Sequence, residues 1–211
     1  APGVRGEAPE LSESPKIAQA FVELSKNELN GMEIWVTELG YDVNPSSPQR
    51  ALAIPSAGKS IMDTQADWII RSSLMYSRIG VNRIHFYMLN DVDVNNPTQY
   101  SSSGFLTAAG QRRPSLNYII QLRELLGEFS YRRTIDTNPY VDLYEANDRK
   151  IYALVIPDER GRTATYNLNV GNAQRVKVYR LRSDSETINS AERNVVGGVV
   201  SLQVSETPIF V

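Results

Sequence analysis

The sequence contains no cysteine and a single histidine, His85. No disulfide and no thiolate metal centre can form, and one imidazole leaves little for zinc. Any metal would have to be bound by oxygen, and no metal or cofactor is expected. Neither sign of charge is in excess: 22 Lys and Arg against 24 Asp and Glu give a net charge of −2. That balance offers no field to hold nucleic acid or an anionic membrane, so neither is an expected partner. No run approaches the roughly 18 to 20 apolar residues of a membrane span. Ala1-Pro2-Gly3-Val4-Arg5-Gly6 has neither an initiator methionine nor the basic and apolar regions of a signal peptide. The chain is therefore expected to be processed, truncated or incomplete.

What is present is ordinary for a globular protein. At 211 residues, 41% hydrophobic and 22% charged, the chain can build a core and is one large domain or a domain and a half. Residues 1 to 13 are rich in Pro, Gly and Glu and read as a loop. Ser14 as N-cap and Pro15 at the first helical position open a helix whose apolar stripe is Ile17, Ala20, Phe21 and Leu24, and Asn30-Gly31 ends it. In the strand at 33 to 38, Ile34, Val36 and Glu38 share one face by the two-residue period, while Trp35 and Thr37 point the other way. Gly40 then breaks the strand into a loop that carries Tyr41 and Asp42.

The next segments repeat this design. A long loop, 42 to 59, leads to a helix with a capping box, Ser60 with Asp63, that continues through Ala66, Ile69, Ile70 and Leu74 to Gly80. Residues 83 to 90 form a second, nearly all-apolar strand ending at Asp91, as in parallel sheets buried on both faces. A second irregular loop, 92 to 113, precedes a helix from Pro114 that stops at Gly127. Strands alternating with helices and long loops predict βα units of a parallel α/β barrel. From about Tyr140 the period becomes two, in short runs separated by turns such as Asn147-Asp148 and Gly171-Asn172. That pattern predicts a small antiparallel sandwich. The expected fold class is thus a partial α/β (TIM) barrel followed by an all-β sandwich, with domains at 1–134 and 135–211.

The run Trp35-Val36-Thr37-Glu38-Leu39-Gly40 resembles the seventh strand of the two-glutamate clan of (β/α)8 glycoside hydrolases, which includes cellulases and xylosidases. The resemblance extends over about residues 10 to 130. It includes the Trp68-Ile69-Ile70-Arg71 helix, the Phe86-Tyr87 strand end with Asp91, Gly104-Phe105-Leu106 and Arg113-Pro114-Ser115. It implies that these βα units are the last two of the barrel and that the protein is a retaining glycoside hydrolase of β-linked glycans in which Glu38 is the nucleophile. Retention needs two carboxyl groups roughly 5 to 5.5 Å apart, one attacking the anomeric carbon and one protonating the departing oxygen. The clan's acid/base glutamate follows an asparagine on strand four; Asn27-Glu28 lies too late in the first helix to match it. The acid/base and about six βα units are expected on an N-terminal barrel segment, in the same or another chain.

Other residues follow from position. Tyr41 and Asp42 are placed to touch substrate or hydrogen-bond Glu38, Asp42 equally to end the strand as a turn. Tyr87 is a candidate for the sugar platform, provided that the His85/Tyr87 face rather than the Phe86/Met88 face is open. Asn90 and Asp91 either bind hydroxyls or cap the loop, and His85 reads as a satisfied core histidine. The sandwich has no tryptophan from Tyr140 onward, which favours packing support over glycan binding. The partners implied are an oligosaccharide or polysaccharide substrate, and the location implied is secreted, periplasmic or cell-surface. The reading from a different class is a noncatalytic carbohydrate-binding or assembly protein on a degenerate barrel.

Overall fold

A computed structural model describes residues 5–211. The first half alternates helix and strand: α1 (Ser14–Glu28), β1 (Trp35–Leu39), α2 (Ile61–Ile79), β2 (Arg83–Phe86) and α3 (Pro114–Leu126). β1 and β2 pair in parallel, with the helix α2 as their crossover. The second half is all strand: β3 (Ser130–Thr137), β4 (Tyr140–Ala146), β5 (Arg149–Val155), β6 (Thr163–Asn169), β7 (Arg175–Arg180), β8 (Asn189–Asn194), β9 (Val199–Ser205) and β10 (Ile209–Phe210). Six of these form an antiparallel sheet in the order β3-β4-β5-β10-β7-β8, and β6 pairs with β9 in a second. Val141, Leu154, Leu168, Val200, Val204 and Ile209 fill the layer between the two sheets, an arrangement compatible with the expected sandwich.

Local chemistry sets the ends of α2. Ser60 Oγ accepts from Asp63 N at 3.2 Å while Asp63 Oδ2 accepts from Ser60 N at 2.9 Å, a reciprocal cap worth about 1 kcal/mol. Gly80, at φ 98°, closes the helix in the left-handed conformation. α2 is the centre of the molecule: Ala66, Ile70 and Leu74 pack with α3 and the face of the large sheet turned away from the small one, at Tyr144, Ile151, Ala153 and Phe210. Its other side meets α1 and the parallel pair through Met75, Tyr76, Val36, Leu39 and Ile84.

Two expectations for α1 are corrected. Ser14 is its first helical residue; Glu13 occupies the N-cap position without a side-chain bond, and Ser12 Oγ accepts from Ser14 N instead. The buried face is Ala18, Val22 and Ser25, whereas Ile17, Phe21 and Leu24 are 56%, 52% and 45% exposed. Both stripes satisfy helical periodicity, and the smaller side chains are the ones that let α1 approach α2 closely.

The two halves are joined by buried polar contacts. Arg78 grips Asp142 with three bonds of 2.6 to 3.1 Å, and Thr134 Oγ1 donates to the same carboxylate at 2.6 Å. Gln121 accepts from Arg182 N at 2.9 Å and donates to the carbonyls of Arg182 and Ser185. Arg71, 1% exposed, forms a bidentate pair with Glu10 and donates to Asp158 O at 2.8 Å. Losing one partner of such a buried pair costs about 3 to 5 kcal/mol. The expected boundary at 134/135 falls inside β3, which pairs with β4 along its length; the change from helix to sheet lies at 127–129.

Candidate functional site

β1 and β2 end side by side, and the candidate residues hang from those ends. The register pairs Val36 with Ile84 and Leu39 with Phe86, so β1 spends three residue steps where β2 spends two. This bulge resets the alternation of β1. Leu39, rather than Glu38, shares the helix-facing side with Val36, which corrects the expected grouping of Ile34, Val36 and Glu38. Thr37 and Glu38 are left exposed at the C-terminal end of the strand.

The bare side of the pair is polar and aromatic. Trp35, 49% exposed, lies with its ring centroid 5.8 Å from that of His85 and carries the Arg83 guanidinium 4.8 Å above it. Trp35 Nε1 donates to Glu33 Oε2 at 2.8 Å. His85 is therefore an exposed residue beside an aromatic platform, not the core histidine that its apolar neighbours suggested. Glu38, Trp35 and Thr37 line a cleft of about 410 Å³ between the unpaired edge of β1 and the Ile17 and Phe21 side of α1.

Tyr87 stands one residue past β2. Its N–H donates to Leu39 O at 2.7 Å and its carbonyl accepts from Ser103 Oγ at 2.8 Å, so the backbone beside Glu38 and that of Tyr87 are tied together. The ring is 40% exposed and meets Tyr100 edge-on at 5.2 Å between centroids. The Tyr87/His85 face is thus the open one, and Phe86 packs inward on Phe105. Asn90 is exposed and its backbone bridges Leu106.

The other three candidates lie inside the protein. Tyr41 is 7% exposed; its hydroxyl is 3.0 Å from Ser72 Oγ and its ring is edge-on to Trp68, so it points at α2 rather than at Glu38. Burial pushes its phenol pKa up. Asp42 is completely buried and accepts from Ser47 Oγ, Tyr100 N, Ser102 N and Ser102 Oγ at 2.6 to 3.1 Å. The three from Tyr100 and Ser102 fasten the loop after β1 to the loop after β2, and the one from Ser47 closes the first loop on itself. Asp91, 6% exposed, accepts from Gly104 N at 2.9 Å and is ion-paired with Arg113, which also donates to the carbonyls of Ser102 and Gly104. Burial raises the Asp91 pKa and lowers that of Arg113, each against the pull of the other. Both carboxylates are buried and engaged by the loops, whereas Glu38 is exposed.

Sequence reasoning missed the clamp formed by Ser102, Ser103, Gly104 and Arg113. Gly104 was its one available signal: a Cβ there would collide with Asp91 N, Leu106 O and Asp91 Oδ1. Among the described residues no group of three His, Cys, Asp or Glu side chains is arranged to hold a metal ion. No helix among the described residues is long and apolar enough to cross a membrane.

No protein-family model and no curated protein matches the sequence. Solved structures do match in fold. A family 39 glycoside hydrolase from Bacteroides cellulosilyticus WH2 superposes with a TM-score of 0.65 at 15% identity, covering 93% of this chain and 36% of that one. A family 30 endoxylanase from Clostridium papyrosolvens C71 gives 0.53 at 18% identity, with 92% and 45% covered. A family 86 β-porphyranase from Bacteroides plebeius gives 0.53 at 14%, with 94% and 37% covered. The chain has a fold found within glycoside hydrolases, and it spans less than half the length of these proteins.

Proposed function

We propose that this chain is the C-terminal part of a retaining glycoside hydrolase acting on β-linked glycans, built from the last two βα units of a (β/α)8 barrel and a β-sandwich. The observation that carries the reading is Glu38. It is an exposed carboxylate at the C-terminal end of a parallel strand, where barrel enzymes do their chemistry, and the residue after it, Leu39, is hydrogen-bonded to the backbone of the exposed Tyr87. The bare face of β1 and β2, the uncovered apolar side of α1 and the partial coverage of the neighbours support a missing upstream portion.

In this mechanism a Glu38 oxygen attacks the anomeric carbon as the glycosidic bond breaks. An acid on the upstream portion gives its proton to the departing oxygen. Water, deprotonated by that same group, then displaces Glu38 and releases the sugar with retained configuration. Tyr87 and Asn90 contact the sugar from the β2 side. Asp42, Tyr41 and Asp91 act by position, holding the two loops that frame the mouth. A glycan substrate implies a secreted, periplasmic or cell-surface protein.

The test is made in the full-length protein with aryl β-glycosides. Glu38→Gln keeps the shape and removes the charge, so kcat/KM should fall by several orders of magnitude while sugar binding survives. Glu38→Ala should regain part of its activity with azide and yield a glycosyl azide of inverted configuration. Undiminished activity of Glu38→Gln would remove Glu38 from the mechanism. An intact protein that binds oligosaccharide but cleaves none would favour a noncatalytic glycan-binding role.

A further inference from the structure

The loop after β2 holds one backbone conformation that its sequence does not favour. Tyr100 has φ 68°, in the left-handed region where a Cβ crowds the following carbonyl oxygen. Among the described residues the other non-glycine positions with positive φ are Asn30 and Asn147, and asparagine is a side chain that tolerates this region. Ser101 N bonds to Thr98 O at 3.0 Å, so Tyr100 occupies the third position of a tight turn, where glycine is the usual occupant when φ is positive. Glycine or asparagine would serve folding better here, and an outlier of this kind directs attention to what the side chain does.

The surrounding loops impose the conformation. The buried Asp42 accepts from Tyr100 N through Oδ2 at 2.9 Å. Ser103 Oγ stands 2.8 Å from Tyr87 O and 3.3 Å from Tyr100 O, so one hydroxyl spans the carbonyls of both tyrosines. The two rings are thereby fixed as a pair, 5.2 Å between centroids and inclined at 75°, with Tyr87 exposed and Tyr100 half-buried. Gln99, the exposed residue before Tyr100, donates from Nε2 to Gln49 Oε1, and Gln49 Nε2 donates to Gly40 O. That chain of amides links the turn to the backbone two residues past Glu38. The tyrosine pair therefore stands over the strand ends that carry the candidate nucleophile.

We propose that Tyr100 is a substrate-contacting residue, and that it forms with Tyr87 a two-walled corner that takes one pyranose unit of a β-linked glycan. The proposal rests on the reading of Glu38 as a glycosidase nucleophile and adds a second aromatic wall to that site. Two rings near a right angle suit a pyranose. Its apolar C–H face lies on one ring, and its hydroxyls at the rim reach the phenol oxygen of the other and the Gln99 amide, since tyrosine presents an apolar body and a polar tip. A ring already fixed by Asp42 and Ser103 loses little further freedom when the sugar arrives. The unfavourable φ of Tyr100 is then explained by binding rather than by folding.

The test uses the full-length protein and β-linked hexasaccharides of glucose, xylose, mannose and galactose. Tyr100→Gly removes the ring and suits the backbone, so its midpoint in urea should be no lower than that of the wild type. KM for the hexasaccharide cleaved best should rise by roughly 10-fold with kcat little changed, as when a contact made equally in ground and transition states is lost. Titration calorimetry in the Glu38→Gln background should find binding weakened by the same factor. Tyr100→Phe keeps the ring and the turn and should bind within about threefold of the wild type, having given up one exposed hydrogen bond. Unchanged KM and affinity in Tyr100→Gly would overturn the proposal. So would a fall in kcat at constant KM, or a lower midpoint with binding intact, since either would give the ring a structural task. The two readings fail separately: an active, Glu38-dependent enzyme indifferent to Tyr100→Gly refutes only the contact, and a protein that binds a hexasaccharide through Tyr100 and cleaves none refutes only the catalysis. A wild type that neither binds nor cleaves any of the four refutes both.

Discussion

Gly40 and Tyr87 touch so closely that no side chain fits between them: a Cβ on Gly40 would be driven into the Tyr87 carbonyl oxygen. That contact exists because Tyr87 N bonds to Leu39 O and so draws the ends of β1 and β2 together next to Glu38. Gly40→Ala should therefore cost about 1 to 3 kcal/mol, the usual cost of overpacking, read as a lower midpoint in urea unfolding. If the proposed glycosidase reading holds, Gly40→Ala should also lower kcat/KM of the full-length protein by roughly 100-fold, since a displacement of about 1 Å has that effect on reacting groups. Wild-type stability and activity in this variant would show that the two strand ends are not held by the contact.

Asp42 supports the site from below. Three of its four hydrogen bonds cross from the loop after β1 to the loop after β2, and the fourth, from Ser47 Oγ, stays within its own loop; Asp42→Asn replaces an acceptor-only group with one whose amide must point a donor at the N–H of Tyr100 or of Ser102. A buried bond to a charged group contributes about 1.5 to 3 kcal/mol, so a loss of about 3 kcal/mol is expected. Hydrogen exchange should quicken at Tyr100 and Ser102 while the amides of β4 and β5 remain as they were. Uniform quickening throughout the molecule would mean that Asp42 serves general stability rather than the loops.

Much of this arrangement was legible because it is local. The capping box at Ser60 and Asp63, the Pro114 start of α3, the period-two runs that became β4 to β7, β9 and β10, and the exposed glutamate at the end of β1 all announce themselves within a few residues. What was hidden depends on partners distant in sequence. The bulge that separates Glu38 from Val36 is a property of the pairing with β2. The choice of Ala18 and Val22 over Ile17 and Phe21 is made by α2. Asp42 and Asp91 look like mouth carboxylates until Ser102 and Arg113 arrive from about 60 and 22 residues away. β8 has no apolar alternation at all, since every one of its residues is exposed and only pairing with β7 makes it a strand. β3 carries arginines on its outward side and was hidden for a similar reason.

Alkaline pH should unfold the protein through buried phenols. Burial raises the pKa of Tyr41, Tyr118 and Tyr144, whereas the unfolded chain ionises its tyrosines near pH 10. A group with a raised folded pKa contributes stability that is complete below the unfolded pKa and is lost as pH climbs through the folded one. Each such tyrosine then removes about 1.4 kcal/mol per pH unit above pH 10. Absorbance at 295 nm should show these phenols ionising together with the loss of circular dichroism, later than the exposed tyrosines. Tyr41→Phe should reduce the slope of stability against pH by one group's share. Ionisation of all eleven tyrosines before unfolding would contradict the burial.

The uncovered side of α1 separates a chain that is whole from one that is a part. Ile17, Phe21 and Leu24 lie one turn apart along the helix and are about half exposed, beside the free edge of β1. Fully burying side chains of this size is worth about 1.5 to 3 kcal/mol each, so a face of three is costly to leave in water. If upstream barrel units cover it, Phe21→Lys in the full-length protein should destabilise by about 3 to 5 kcal/mol, as large-to-small core changes do, with a buried charge in addition. In residues 1–211 expressed alone the same substitution should do the opposite: it should increase solubility and reduce binding of a hydrophobic dye, because there the side chain meets only water or another molecule. The two proteins are compared by chemical denaturation and by dye fluorescence at equal concentration. A Phe21→Lys change that leaves the full-length protein unaffected would mean that α1 faces solvent in the native molecule, and the partial-barrel reading would then lose its main physical support.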